Sequence, residues 1–391
     1  MKRPILIISI FVIVMSFMAN DVMGMPAFAR KYRMSCKTCH DPFPRLKPYG
    51  AEFAANGFVL KDKDAPRYYD DTGDDKLSLI KDFPFAIRLE GFMTLNNNNS
   101  ETFDFSAPYN VKLLSGGSIA RNISYYFYFF FSEQGKIVGL EDAFLMFTHL
   151  FHTDLSLTIG QFQVSDPLFK RELRLTFEDY LIYKAKPGLS MVDLTYDRGI
   201  MLIYPIGKGP ELVLEVLNGT GIEESNIFEN FDNDKYKNVF GRITQDFGDH
   251  FRLGASGYYG KEAPEGVVNK MWMLGGDASI SFSNIELNVQ YVERKDDNPY
   301  FLSSSSGDIR SKGGFAELIW NSNDTDRLWY GVGLFNWVDS DEPVLDYKSV
   351  AVHLGHLLRR NIRITCEFNY IFDNDLRDGY ARGILGLIAG F

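Results

Sequence analysis

Two cysteines and a histidine within five residues carry the most specific chemistry in this chain. The run Ser35-Cys36-Lys37-Thr38-Cys39-His40 contains a C-x-x-C-H motif. Thiols at that spacing can add across the two vinyl groups of a haem as thioethers, and the adjoining imidazole then reaches the iron as proximal ligand. A bare C-x-x-C would fit a redox dithiol or half of a zinc site. The added histidine shifts the reading to covalent attachment of one haem c, with Cys36 and Cys39 binding the cofactor and His40 its iron. Zinc would need two further ligands nearby, and residues 41–82 contain neither Cys nor His. The third cysteine, Cys366, has no partner left, which excludes a disulfide framework.

Residues 41–82 also contain no Met. A distal iron ligand must therefore come from Met25, from Met34, or from the rest of the chain, or be absent. His149, His152, His250, His353, His356, Met93, Met191 and Met201 are candidates, and none is assigned. A methionine there would raise the potential and a histidine would lower it. After Pro42-Phe43-Pro44, Arg45 to Ala55 places Leu46, Tyr49, Phe53 and Ala54 at helical spacing, and Asn56-Gly57 reads as a helix stop. This predicts one short amphipathic helix with a stripe suited to a haem face. A segment of this size cannot enclose a haem alone, because small folds bury too little surface. It needs another wall.

The motif lies close behind an export signal. Lys2 and Arg3 precede an apolar run from Ile5 to Met18, broken only by Ser9 and Ser16, which is too short to span a bilayer comfortably. Cleavage is expected after Gly24, with Ala29 as the alternative, so 1–24 is read as a signal peptide. Residues 25–82 are read as the haem segment with an Asp-rich linker, and 83–391 as a second domain. The chain has 33 Phe, 21 Tyr and 34 Gly, yet its mean hydropathy is −0.15. Aromatic richness without a long apolar run suits a transmembrane β-barrel. The net charge is −10, and removing Lys2, Arg3 and Asp21 takes it to −11. That disfavours nucleic acid and other polyanions as partners.

From Phe83 onward, alternation and turn residues predict sixteen strands: 83–95, 109–120, 122–132, 139–150, 154–162, 197–206, 211–219, 235–247, 250–260, 270–283, 285–295, 311–320, 327–338, 347–359, 361–372 and 381–391. The connections alternate between short (Arg121, Gly248-Asp249, Asn284, Arg360) and long (96–108, 163–196, 220–234, 295–310, 339–346). Outer-membrane barrels have short periplasmic turns and longer outer loops. The fold class expected is thus all-β, a sixteen-stranded antiparallel transmembrane barrel preceded by a small α-helical cytochrome segment. In 361–372, Ile362, Ile364, Cys366, Phe368 and Tyr370 share one face, read as lipid-facing, while Arg363, Thr365, Glu367 and Asn369 share the lumenal face. The outer loops carry carboxylate clusters such as Glu223-Glu224 and Asp339-Asp341-Glu342, read as solvated surface.

Two stretches resemble known families. EDAFLMFTHLFHTDLSLTIGQFQVSDPLF (141–169), YDRGIML (196–202), LNGTG (217–221) and KYKNVFGRI (235–243) resemble, in that order, the phosphate-selective porin O/P family. The resemblance implies sixteen strands and a constricting third loop. Lys170, Arg171, Arg174, Lys184 and Lys186 in that loop are opposed by Asp166, Glu172, Glu178, Asp179 and Asp193, so phosphate selectivity is not carried over. MPAFARKYRMSCKTCHDPFPRLKPYGAEFAANGF (25–58) resembles the haem segment of outer-membrane monohaem cytochrome–porin fusions, whose members include oxidisers of extracellular ferrous iron. That resemblance implies an outer-membrane protein passing electrons through one haem, with extracellular Fe(II) as donor and a periplasmic carrier, expected to be a soluble cytochrome, as acceptor. It would make the chain an electron carrier or iron-oxidising oxidoreductase. The alternatives are outward electron export and a diffusion porin with a haem-bearing, redox-sensitive plug. The small haem segment is expected to insert into the lumen and borrow its wall.

Overall fold

Strands that alternate between lipid and lumen can satisfy their backbone groups in a membrane only by closing on themselves. The computed structural model describes residues 27–60, 69–70, 73–74, 76–81, 83–97, 102–207, 209–264, 266–304, 307–323, 327–376 and 378–391. The expected signal peptide, 1–24, and Met25 lie outside the described residues. The barrel strands are β1 Phe85–Asn96, β2 Thr102–Ala120, β3 Ile123–Glu133, β4 Gly139–Leu150, β5 Leu155–Gln163, β6 Tyr196–Pro205, β7 Glu211–Leu217 and β8 Asn238–Phe247. They continue as β9 Phe251–Glu262, β10 Asn269–Phe282, β11 Ile285–Asp296, β12 Ile309–Asn321, β13 Trp329–Ser340, β14 Tyr347–Arg359, β15 Ile362–Ile371 and β16 Tyr380–Gly390. Each pairs antiparallel with its sequence neighbour, and β16 pairs with β1 from Arg382↔Asn96 to Gly390↔Arg88, which closes the barrel.

The outward face carries what a bilayer demands. Leu214, Ile243, Leu274, Leu318 and Leu354 are exposed at mid-height. Tyr204, Phe247, Phe282, Trp320 and Trp329 are exposed near the short-turn end, and Phe131, Tyr259, Tyr291 and Tyr370 near the long-loop end. An apolar band between two aromatic girdles is the outer surface of a membrane barrel. On β15, Arg363, Thr365, Glu367 and Asn369 are buried toward the lumen, and Cys366 and Phe368 are exposed outward. The tight turns use left-handed residues where strands reverse, as at Asn122 (φ 60°) and Gly248 (φ 66°).

The first outer loop is shorter than the sequence suggests. Residues 96–108 read as a loop because Pro108 interrupts the pattern, but β2 begins at Thr102. The register shifts between Glu90↔Asn110 and Phe92↔Ser106, so the proline sits at a bulge, where its missing N–H costs no ladder bond. The third outer loop, residues 164–195, has the length expected and turns inward against lumenal side chains, as a constricting loop must.

Ahead of the barrel lie helix α1, Ala27–Tyr32, a 3₁₀ turn at Cys36–Thr38, and helix α2, Pro48–Ala55. The expected helix start at Arg45 moves to Pro48. Leu46 instead bridges antiparallel to His40, and Pro48 takes the first helical position, where a missing N–H is harmless. Gly57 (φ 69°) ends the helix where the sequence places the stop. Within the linker, Tyr69–Asp70 pairs with Leu79–Ile80.

Candidate functional site

Cys36, Cys39 and His40 occupy a single turn. Ser35 caps that turn by accepting a hydrogen bond from the Lys37 N–H, and the His40 N–H closes it on the Cys36 carbonyl. Helix α2 is pressed against it: Lys47 N donates to the Cys39 carbonyl at 2.8 Å. A Cβ on Gly50 would run into the same carbonyl, which is why a glycine stands there. Both thiols are half-buried and unbridged, and burial raises their pKa. His40 Nδ1 lies 2.8 Å from the Pro44 carbonyl. A carbonyl can only accept, so Nδ1 carries the proton and Nε2 keeps its lone pair for a metal. Burial lowers the His40 pKa, which keeps the ring neutral as a ligand must be. Two reachable thiols and a pre-oriented Nε2 fit covalent haem attachment.

The segment docks across the short-turn mouth of the barrel, touching both sides of the wall. Phe28, Tyr32, Phe53 and Phe58 form an aromatic cluster, and Phe58 stacks on Tyr126 of β3 at 5.4 Å. A Cβ at Gly57 would lie 2.6 Å from Ser124 Oγ. Asn56 is 3.3 Å from His149 at the end of β4. On the opposite side, Asp41 pairs with Arg327, Arg45 pairs with Glu286 of β11, and Arg363 of β15 donates to the Phe43 carbonyl at 2.9 Å. Of the predicted apolar stripe, Phe53 packs into protein and Tyr49 is exposed.

Above the segment, the third loop grips the wall at many points. Glu367 of β15 accepts the Phe177 N–H at 2.6 Å, the Glu178 N–H at 2.9 Å and His353 Nδ1 at 2.7 Å. Glu172 meets Lys112 of β2 and the Tyr128 hydroxyl of β3. Tyr180 donates to Glu317 of β12 and stacks on Phe315 at 4.1 Å. Asp179 holds Arg171 bidentately and Lys184 at 2.6 Å. Burial alone would raise the Asp179 pKa, but Arg174, Arg171 and Lys184 together hold it well below the usual carboxylate range. Between the loop and the wall lies a polar lumenal chamber lined by Arg88, Glu90, Lys112, His353, Arg363 and Glu367, among others.

The distal-ligand candidates separate by position. His356 packs on the outward-facing Trp329, and Met93 lies on the outward face of β1. His152 and His250 sit on exposed turns, and His149 is exposed at the end of β4. Met191 belongs to the third loop, and Met201 is buried in the packing at the base of that loop. His353 alone among them lines the chamber. The inward path of the third loop is what the resemblance of 141–169 implies, whereas the Arg363–Phe43 contact has no signal in the sequence beyond the lumenal alternation of β15.

No protein-family model matches the chain, and no curated protein is similar to it in sequence. Solved structures do match. OmpT of Vibrio cholerae, as a loop L8 deletion mutant, aligns with TM-score 0.56 at 12% identity over 79% of this chain and 99% of that one. The anion-selective porin of Comamonas acidovorans gives 0.56 at 12% identity over 78% and 98%, and the outer membrane channel DcaP of Acinetobacter baumannii 0.57 at 10% over 79% and 97%. The barrel has the porin fold. At such identities the likeness extends to fold alone.

Proposed function

We propose that this porin-type barrel carries a covalent haem in the segment across its periplasmic mouth, and that it passes electrons through that haem across the outer membrane. Cys36 and Cys39 hold the haem and His40 Nε2 ligates its iron. The haem supplies a one-electron redox centre. The chain's own residues do the rest. Pro44 fixes the His40 tautomer, Gly50 lets α2 close on the Cys39 carbonyl, and Asp41–Arg327, Arg45–Glu286 and Arg363–Phe43 moor the segment to the wall. The observation that carries the reading is the C-x-x-C-H turn docked against lumenal side chains, which supply the wall so small a segment lacks. An extracellular donor such as Fe(II) and a periplasmic carrier, a soluble cytochrome, are the partners proposed. Outward export would use the same parts.

A second reading has an observation of its own. The solved structures of like fold are porins, and the lumen is lined with charged side chains, which favours a diffusion channel whose segment is a redox-sensitive plug. Reduction of the purified, detergent-held protein by ferrous iron, followed at the haem absorption bands, separates the two when paired with solute uptake into liposomes. Rapid reduction with little uptake supports electron passage. Free uptake by a protein that iron does not reduce overturns it.

A further inference from the structure

Arg363 is a buried guanidinium, 2% exposed, whose visible partners are all neutral. Its Nη1 donates to the Tyr330 hydroxyl at 3.0 Å and to the Phe43 carbonyl at 2.9 Å, and its Nε is buried with no partner. Among the described residues no carboxylate forms an ion pair with it; Glu90 and Arg88 act on it only at longer range. Arg88 is a second lumenal guanidinium, and it differs in having a carboxylate partner. Its Nη2 meets Glu90 at 2.6 Å, while its Nε is also buried and unpartnered. Lys112 shares Glu90 at 3.8 Å, so that carboxylate faces two cations.

Register brings the two arginines to one place. Arg363 pairs with Ile388 and Arg88 with Gly390 on the intervening strand β16, so both stand on the lumenal face two strands apart near the periplasmic end. They converge on one residue of the haem segment. Arg363 binds the Phe43 carbonyl, and the Arg88 guanidinium carbon lies 6.0 Å from the centre of the Phe43 ring. The Phe43 ring in turn contacts His40 edge-on at 4.9 Å. A desolvated guanidinium with an unused N–H is costly unless an anion completes it, and arginine's planar fork suits a carboxylate.

We propose that Arg363 and Arg88 form a carboxylate-binding site on the chamber side of the haem segment, and that it takes the propionate carboxylates of the haem. This rests on the haem reading above. The same chemistry would also accept a free oxyanion in the lumen, and the test separates the two sources. The site makes the barrel wall a part of the cofactor pocket: it holds the haem edge and sets its potential, because a nearby cation favours the reduced state.

The test uses the full-length protein in detergent, as wild type, R363Q, R363K and R88Q. Intact mass first shows whether haem is attached to the wild type. With haem present, R363Q is expected to lower the equilibrium constant for haem reduction at pH 7 by about tenfold, equivalent to about 59 mV for one electron. It is also expected to move the pH-dependent part of the potential to higher pH, because a carboxylate freed of its arginine binds a proton more readily. R363K is expected to retain the wild-type pH profile. R88Q, with Glu90 left in place, gives the same shifts in smaller measure and serves if R363Q does not fold. Reduction equilibrium constants within about twofold of wild type and an unchanged pH profile in the glutamine variants overturn the proposal. If the wild type carries no haem, the haem reading itself falls. In that case, thermal stabilisation of wild type but not of R363Q by inorganic phosphate keeps a free-oxyanion site, and equal stabilisation or none overturns it.

Discussion

Replacing Glu367 with alanine removes the stronger of two points at which the third loop hangs from β15, the other being Asn369, which donates to the Glu178 carboxylate at 3.3 Å. Its carboxylate accepts the Phe177 and Glu178 amides at 2.6 and 2.9 Å and is almost fully buried. Hydrogen bonds to a charged acceptor contribute about 1.5–3 kcal/mol each. Two give about 3–6 kcal/mol, and water entering the lumen would restore part of that. We therefore expect a local loss of about 3 kcal/mol. At about 1.4 kcal/mol per tenfold, amide exchange at Phe177 and Glu178 should accelerate about 100-fold. Hydrogen exchange of detergent-held protein, read by mass spectrometry over residues 164–195, measures it. Exchange at β11 and β12 should stay unchanged, since Tyr180–Glu317 and Tyr183–Gln290 remain. Acceleration of less than about threefold at the two amides would refute the anchoring described for Glu367.

Replacing both Cys36 and Cys39 with serine should abolish covalent haem, seen as loss of the haem mass increment and absorption, while the barrel keeps its heat-dependent gel mobility. Gly57→Ala places a Cβ at φ 69°, 2.6 Å from Ser124 Oγ, and should weaken docking of the segment by about 1–3 kcal/mol. The reading is a higher ion conductance in planar bilayers than wild type; an unchanged conductance would count against docking at this contact. The depressed pKa of Asp179 means that its clamp contributes stability above the ordinary value of 3.8, which is lost as pH falls through the lower folded value. Protease resistance of the third loop should therefore be flat from about pH 8 to pH 5 and decline only below about pH 3.8; a decline near neutrality would contradict the clamp.

The barrel was legible in the sequence because a membrane wall imposes a period of two on every strand. Cys366 out and Glu367 in follow from alternation alone, as do the girdles once the turns are placed. Where the pattern is broken, the reading slips: Pro108 hides the first residues of β2, and a bulge there accommodates it. Helix α2 starts three residues late because Pro48 offers a better first position than Arg45, and Leu46 is taken by its bridge to His40. The C-x-x-C-H chemistry needs only local sequence. The contacts that moor it do not: Arg363 to Phe43 and Asp41 to Arg327 join residues 320 and 286 positions apart, and no periodicity encodes such a pairing. The third loop's charges are visible in the sequence, but their partners on β2, β12 and β15 emerge only when the barrel closes.

The most direct measurement is electron transfer across a sealed bilayer. The protein would be inserted into liposomes that hold an oxidised soluble cytochrome, with ferrous iron added outside. We expect the enclosed cytochrome to be reduced by wild-type protein and not by the variant with serine at positions 36 and 39, while a small sugar stays outside. Reduction of equal rate in both proteins, or in step with sugar entry, would contradict electron passage through a haem at Cys36, Cys39 and His40 and leave a diffusion channel.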